Sequence, residues 1–337
     1  MLSTPAHLLS DAVQLVPGQH ILFLNSAADP FVSAVARHCP DCVVTLAEDN
    51  IAALQAALSE SGQAFAHPPR HIAFHEYSAR EQAAAMDAAI MNLLYQPSNA
   101  WMLYGLQLAR GALKPGGRLY VVGAKDRGVQ TVARHMQERF GNVETLAISK
   151  GQRVVCSRNP AGSSLSAPGE LAALVFSKGE LDEGTRLLLE AVEVRVTDDA
   201  LDIGCGAGII GLHIARQAVK GYVTMVDASL AAIAAAQRNI AESGLSNIRA
   251  LPSDGAQAVL AERFDLVATN PPFHQGGIQT ASVAERFIRE AAQVLRRRGR
   301  FYLVANRFLK YEPALQASFQ QVREVAGNGR YKVLRAE

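Results

Sequence analysis

The chain has 337 residues, 49% hydrophobic and 19% charged, which suits two globular domains and excludes a disordered chain. Its net charge of +2 excludes a polybasic binder of the histone kind but leaves room for a local basic face. No apolar run reaches the ~18 residues of a membrane span, MLSTPAHLLSDAVQL lacks the form of a signal peptide, and four cysteines make no disulfide framework, so a cytoplasmic protein without a membrane partner is expected.

The first half opens with an apolar strand, HILFLN (His20 to Asn25), a turn SAADP and a helix FVSAVARH. His38-Cys39-Pro-Asp-Cys42 follows; no second cysteine pair lies near it, so no metal site is expected. VVTLAE ends at Glu48, LKPGGRLYVV covers Leu113 to Val122, and KGQRVV begins at Lys150. SRNPAGSSLSAPGE (Ser157 to Glu170) is rich in Pro, Gly and Ser and reads as a linker. The expected division is a domain at 1–156, a linker at 157–170 and a domain at 171–337.

In the second half strands are expected near 198–203, 222–227, 247–251, 264–269 and 300–305. Helices are expected at 208–218, 229–243, 255–261 and 281–296. Alternating strands and helices predict an α/β fold, a mostly parallel sheet with helices on both faces. Ligands of such sheets sit beyond the carboxyl ends of the strands.

The halves repeat one plan. An offset of 179 residues pairs Arg37 with Arg216 and Glu48 with Asp227. LKPGGRLYVV pairs with LRRRGRFYLV (Leu295 to Val304), and KGQRVV with NGRYKV (Asn328 to Val333). So long a period means two tandem α/β domains rather than a solenoid.

Asp202-Ile-Gly204-Cys-Gly206-Ala-Gly208-Ile-Ile-Gly211 is the strongest local signal. Glycines let the chain turn sharply and let a ligand approach, and the following helix offers free N–H groups. Gly206-x-Gly208-x-x-Gly211 with Asp227 beyond fits a dinucleotide fingerprint, which leaves NAD and S-adenosylmethionine both open. Asp202 would repel a pyrophosphate and suits a ligand with a cationic amino group and a sulfonium. Cys205 fits the turn as a small side chain.

Asn270-Pro271-Pro272-Phe273 follows the fourth strand. Two prolines stop strand and helix alike. They aim the Asn270 side chain and the Pro271 carbonyl at the carboxyl edge. Two aimed acceptors beside an aromatic ring make a receptor for a planar group bearing an exocyclic NH2. His274, next in line, suits packing or substrate positioning.

With LVFSKGELDEGTRLLL (Leu174 to Leu189), LDIGCGAGIIGL, VDAS, SDGAQAVL, TNPPFHQGG, ANRFLKYEP and YKVLRAE, the chain resembles the S-adenosylmethionine-dependent methyltransferases of the small-domain class. Within them it is similar to the bacterial ribosomal RNA guanine-N2 methyltransferases with tandem domains, above all those of the small subunit (16S). The resemblance implies two Rossmann-like domains, each with a mostly parallel seven-stranded sheet. It implies S-adenosylmethionine as cofactor, no metal, and ribosomal RNA or the 30S subunit as partner. Asp202, Gly204, Cys205, Gly206 and Gly208 would line the cofactor's methionine end, and Asp227 would hold the ribose. Ser253 and Asp254 would lie at the adenine, with Asp254 accepting from its N6 amine. Asn270, Pro271 and Phe273 would hold the guanine, Asn270 also facing the cofactor. Phe176 and Thr185 would close over the cofactor. GAKDRGVQTV (Gly123 to Val132) is similar to the large-subunit (23S) guanine methyltransferases. Methylation of a protein glutamine, or an assembly factor without catalysis, are the other readings.

At the same offset the first half has Phe23, Asn25, Ala27 and Asp29 where the second has Asp202, Gly204, Gly206 and Gly208. Its Cβ atoms and extra carboxylate predict a copy without cofactor, serving RNA docking or support. No Asn-Pro-Pro-Phe equivalent is expected in AAAMDAAIMNLLYQPSNAWM. Arg296, Arg297, Arg298 and Arg300 read as a solvated basic face at the amino edge of a strand. Arg307 and Lys310, with Lys125 and Arg127 in the first half, follow carboxyl ends and are the candidate RNA phosphate contacts.

Overall fold

The computed structural model describes residues 4–77, 84–160, 182–272 and 280–337. The chain divides into two compact units, Met1–Leu174 and Val175–Glu337.

In the first unit the elements are α1 (Thr4–Ala12), β1 (His20–Leu24), α2 (Pro30–His38), β2 (Val43–Glu48), α3 (Ile51–Ser61), β3 (Arg70–Ala73), β4 (Met86–Asn92), α4 (Asn99–Ala112), β5 (Leu113–Ala124), α5 (Val129–Phe140), β6 (Glu144–Ser149) and β7 (Gln152–Arg158). The second holds α6 (Glu183–Ala191), β8 (Ala200–Ile203), α7 (Ile209–Gln217), β9 (Val223–Asp227), α8 (Leu230–Ser243), β10 (Ile248–Pro252), β11 (Phe264–Thr269), α9 (Thr280–Val294), β12 (Leu295–Asn306), α10 (Glu312–Ser318), β13 (Val322–Gly327) and β14 (Tyr331–Ala336).

Each unit has one seven-stranded sheet, and the two orders are the same: β3-β2-β1-β4-β5-β7-β6 and β10-β9-β8-β11-β12-β14-β13. The first five strands of each run parallel, and the closing hairpin is antiparallel. The expected pair of tandem α/β domains is therefore present. The order reverses between β1 and β4 and between β8 and β11, which opens a crevice at the carboxyl ends there.

The strands are apolar because both faces are covered. In the second unit Ala200, Met225, Leu266 and Tyr302 enter one core, and Leu201, Val226, Val267 and Phe301 enter the other. Helices start where a side chain can serve free N–H groups. Asp29 caps α2, Asn50 α3, Ser98 α4, Asp182 α6 and Ser229 α8.

Four expectations need correction. Residues 255–261 form only a single 3-10 turn at Gln257–Val259, because the Glu290 carboxylate takes the Ala256 N–H and the Gln257 side chain. The strand expected at 300–305 begins at Leu295. Its register against β11 jumps from Phe264↔Leu295 to Leu266↔Arg300, and Arg298 takes a left-handed φ of 65° in that bulge. The bulge turns Arg300 inward, so it is buried on Asp198 and is no part of a solvated face. Finally, Ser157 and Arg158 are the end of β7. Asn159, the next residue, is itself tied to Gly116, Gly117 and Leu113, so the linker does not start at Ser157.

Candidate active site at the carboxyl edge of the second sheet

The glycine turn leaves β8 and enters α7. Gly204, Gly206 and Gly208 have φ of 73°, 54° and 85°, where a side chain is strained. Gly204 and Cys205 donate N–H groups to the Val226 carbonyl at 2.8 and 3.0 Å. Gly211 has no room for a Cβ, which would stand 2.3 Å from Met225 Sδ. Glycine is thus demanded by backbone at three positions and by packing at the fourth.

Asp202 stands one residue before the end of β8 and is fully buried. Its Oδ2 accepts from Gly211 N at 2.9 Å, while Oδ1 has no partner among the described residues. Burial, with some help from the Asp227 charge, pushes its carboxyl up to about 7. A buried carboxylate oxygen without a donor is the receptor that a cationic ligand needs. Burial raises the Cys205 thiol well above its ordinary range, which disfavours the thiolate.

Asp227 ends β9 half-buried. Its Oδ2 accepts from Gly206 N at 2.9 Å and its Oδ1 from Ser229 N at 2.8 Å. Ser253 and Asp254 follow β10. Ser253 is buried, and its Oγ accepts from Ala258 N, so its hydroxyl serves the loop. Asp254 Oδ1 is held by Arg286 at 2.5 Å, a partner the sequence reading did not foresee.

Asn270 follows β11. Its amide nitrogen donates to Thr185 Oγ1 at 2.8 Å and to Asp182 Oδ2 at 3.0 Å. Its Oδ1 is buried and has no partner among the described residues. With both contacts on the nitrogen, the amide orientation is set and the oxygen is left as an aimed acceptor. Thr185 therefore orients Asn270. Asp182 was missed in the sequence, although Asp182-Glu-Gly-Thr185 carries the mark of a helix N-cap. Pro271 is buried beside it. Phe176, Phe273 and His274 lie outside the described residues.

The carboxyl ends of β8, β9, β10 and β11 and the start of α6 thus gather Asp202, the glycines, Asp227, Asp254, Asn270 and Thr185. Among the basic candidates, Lys125, Arg127 and Lys310 are exposed in turns after β5 and β12. Arg307 is exposed too, but it is paired with Glu324 at 2.8 Å and donates to the Asn328 carbonyl, so it is not a free cation.

The first unit repeats the scaffold and fills the crevice. Asn25 stands at the Gly204 position with φ 46° and donates its N–H to Ala47, as Gly204 does to Val226. Glu48 takes the Ala27 N–H at 2.8 Å, as Asp227 takes that of Gly206. Contrary to expectation, an equivalent of the Asn-Pro-Pro-Phe segment exists. Asn92, the last residue of β4, leads into Leu-Leu-Tyr95 at the carboxyl edge, where Asn270 stands just after β11. Asn92 Nδ2, however, donates to Asp29 Oδ2 at 2.6 Å, and Gln96 spans the turn by donating to the Leu24, Asn25 and Asn92 carbonyls. These side chains are buried, as is Glu48, whose carboxyl burial pushes up to about 7. The crevice of the first unit is occupied by its own residues.

Two family models match the chain. "Methyltransferase small domain" matches residues 170–335, and "Methyltransferase small domain N-terminal" matches residues 7–150. The Ribosomal RNA small subunit methyltransferase C of Pseudoalteromonas atlantica is 33% identical over 77% of this chain and 80% of its own length. That of Shewanella loihica is 29% identical over 99% of this chain and 98% of its own. A solved 16S rRNA N2 guanine methyltransferase of T. thermophilus, in complex with AdoMet and guanosine, superposes with a TM-score of 0.83 at 30% identity, covering 99% of this chain and 92% of that one. With that glycine turn, those acids and these relatives, the chain belongs to the ribosomal RNA small subunit methyltransferase C family, enzymes that use S-adenosylmethionine.

Proposed function

We propose that the protein transfers a methyl group from S-adenosylmethionine to the exocyclic N2 amine of a guanine in 16S ribosomal RNA, in the 30S subunit and in the cytoplasm. The observation that carries this reading is the Asn270 amide, held through its nitrogen by Asp182 and Thr185 with its buried oxygen unpartnered among the described residues. An NH2 group on a planar ring satisfies such an acceptor; a carboxylate does not.

The residues present fit the cofactor. Asp202 Oδ1 is a buried acceptor for a cationic ammonium, the positive-φ glycines remove the Cβ atom at three positions of the turn, and Asp227 stands at the next strand end. Asp202 and the glycines would hold the methionine end, Asp227 the ribose, and Ser253 and Asp254 the adenine side. When bound, S-adenosylmethionine supplies an electrophilic methyl on its sulfonium.

Asn270 Oδ1 and the Pro271 carbonyl each accept one N–H of the guanine amine, and Phe273 stacks on the base. These contacts turn the nitrogen lone pair out of conjugation and toward the methyl. The amine nitrogen bonds to the methyl carbon as the S–C bond breaks, and the extra proton leaves to solvent afterwards. No strong base is needed, so the rate comes from positioning and from exclusion of water. The guanine enters flipped from its stack, since a paired amine cannot reach the methyl in line.

The first domain, its crevice filled, binds no cofactor and serves docking or support. Lys125, Arg127 and Lys310 contact RNA phosphates, whereas Arg307 acts through its pairing. The test is transfer of labelled methyl to unmodified 30S subunits, 50S subunits and free rRNA in parallel. Label on 30S, recovered as N2-methylguanine and lost with Asn270→Ala, is the expected result. Label on 50S alone would move the activity to the large subunit, and label on no RNA would turn the reading to a protein substrate.

A further inference from the structure

We propose that Phe308 is a stacking platform for a nucleobase neighbouring the target guanine, at the rim of the Asn270 site; this rests on the RNA reading above. β12 pairs in parallel with β11, Leu303 opposite Thr269, so the turn after β12 leaves the sheet on the same edge as Asn270. That turn is rigid. Leu309 N donates to Asn306 O at 3.0 Å, Arg307 N to Arg330 O at 2.8 Å, and Arg307 Nε to Asn328 O at 2.7 Å. Arg307 Nη2 is also paired with Glu324.

The turn is joined to the site by a run of contacts. Asn328 and Arg330 both reach the Glu183 carboxylate at 3.2 Å, and Glu183 adjoins Asp182, which holds Asn270. Phe308 is nevertheless 76% exposed, while its neighbour Leu309 packs on the core. A phenyl ring held out in water on a fixed backbone gains free energy when an apolar surface covers it, and gains more when that surface is a flat ring stacked on its face. Flanking charges decide what that is. Arg307 is neutralised by Glu324, which leaves the exposed Lys310 as the cation beside the ring, and no second large apolar side chain is exposed among the described residues of the turn, which disfavours a broad protein-docking patch. An exposed aromatic ring with a lysine beside it, next to a site that takes one extruded base, is what single-stranded RNA uses for stacking and phosphate contact.

The test compares Phe308→Ala, Phe308→Trp and the wild-type protein. Methyl transfer to unmodified 30S subunits should show KM raised about tenfold by Phe308→Ala, restored by Phe308→Trp, with kcat and S-adenosylmethionine affinity unchanged. The indole fluorescence introduced by Phe308→Trp should be quenched by a mixed-sequence RNA oligonucleotide, while buried Trp101 supplies a constant background. A Phe308→Ala protein within twofold of wild type in KM, or no quenching in Phe308→Trp, overturns the proposal. A KM effect on 30S subunits without quenching by RNA also overturns it and points to a ribosomal protein as the contact. Failure of the RNA reading itself is distinct: the wild-type protein would then label no RNA at all.

Discussion

Asn270 donates its amide nitrogen to Thr185 Oγ1 at 2.8 Å across 85 residues of sequence, and this bond fixes which way the amide faces. With Asp182 on the same nitrogen, rotating the amide would place an oxygen against a carboxylate. Asn270→Ala should lower kcat by about 100-fold or more, because it removes an aimed acceptor from the reacting amine. Thr185→Val should lower kcat less, about tenfold, with S-adenosylmethionine affinity within a few-fold of wild type. Steady-state kinetics with titration calorimetry separates the two. A Thr185→Val protein that loses cofactor binding and keeps kcat would assign Thr185 to the cofactor instead.

Asp202 gives the site a pH dependence of definite sign. Its carboxyl lies near 7 in the fold against an ordinary value of 3.8, chiefly through burial. The folded state therefore holds a proton that the unfolded state has lost. This contribution to stability is full below about pH 4 and fades as pH rises through 7. Glu48 adds a second contribution of the same sign, from 4.5 to about 7. A cationic ligand needs the ionised form of Asp202, so S-adenosylmethionine affinity should weaken about tenfold per pH unit below 7. Asp202→Asn should bind weakly and independently of pH over that range. A wild-type Kd flat from about pH 5.5 to 8 would remove Asp202 from the cofactor site.

The sequence carried the scaffold well and the wiring poorly. Duplication was legible because the offset between Glu48 and Asp227 lies in local strand ends, and the glycine turn because glycines at positive φ leave a fixed spacing. Asp182 was not legible as a partner of Asn270, since 88 residues separate them and only the fold brings them together. Asn92 escaped notice because Leu-Leu stands where the second domain has Pro-Pro, although the backbone position is shared. Arg300 looked like its neighbours Arg296, Arg297 and Arg298, and only the bulge that pairing with β11 imposes turns it inward.

Titration calorimetry should find one S-adenosylmethionine per chain, because Asn92, Asp29, Gln96 and Glu48 fill the first crevice. Asp227→Ala should remove that single event. Opening the first crevice by Asn92→Ala should leave Asp29 Oδ2 without its donor, Oδ1 keeping the Phe31 N–H, and lower stability by about 1–3 kcal/mol while creating no second site. A second binding event in the wild-type protein would refute the account of the first domain.

Gly211→Ala isolates packing from backbone conformation in the glycine turn. The new Cβ would stand 2.3 Å from Met225 Sδ and 3.4 Å from Asp202 Oδ2. Thermal unfolding should show a loss of about 1–3 kcal/mol from overpacking, with cofactor affinity reduced as the turn shifts. Met225→Ala in the same chain should recover part of that loss, since it removes the clashing sulfur. Recovery of affinity together with stability would tie cofactor binding to the placement of the turn.

Arg300 and Asp198 test how the bulge in β12 is held. The guanidinium donates to Asp198 Oδ2 at 2.5 Å, and both side chains are 2% exposed. Asp198 Oδ2 also accepts from Arg195 N at 2.7 Å, so the carboxylate closes the turn before β8 as well. Arg300→Ala leaves that carboxylate buried without its cation and should cost about 3–5 kcal/mol in urea unfolding. Arg300→Met combined with Asp198→Asn should cost less than the single alanine change, because the charge is removed while a side chain remains to receive Arg195. A loss below about 1 kcal/mol for Arg300→Ala would mean that water reaches Asp198 and that the pair is not sealed in the core.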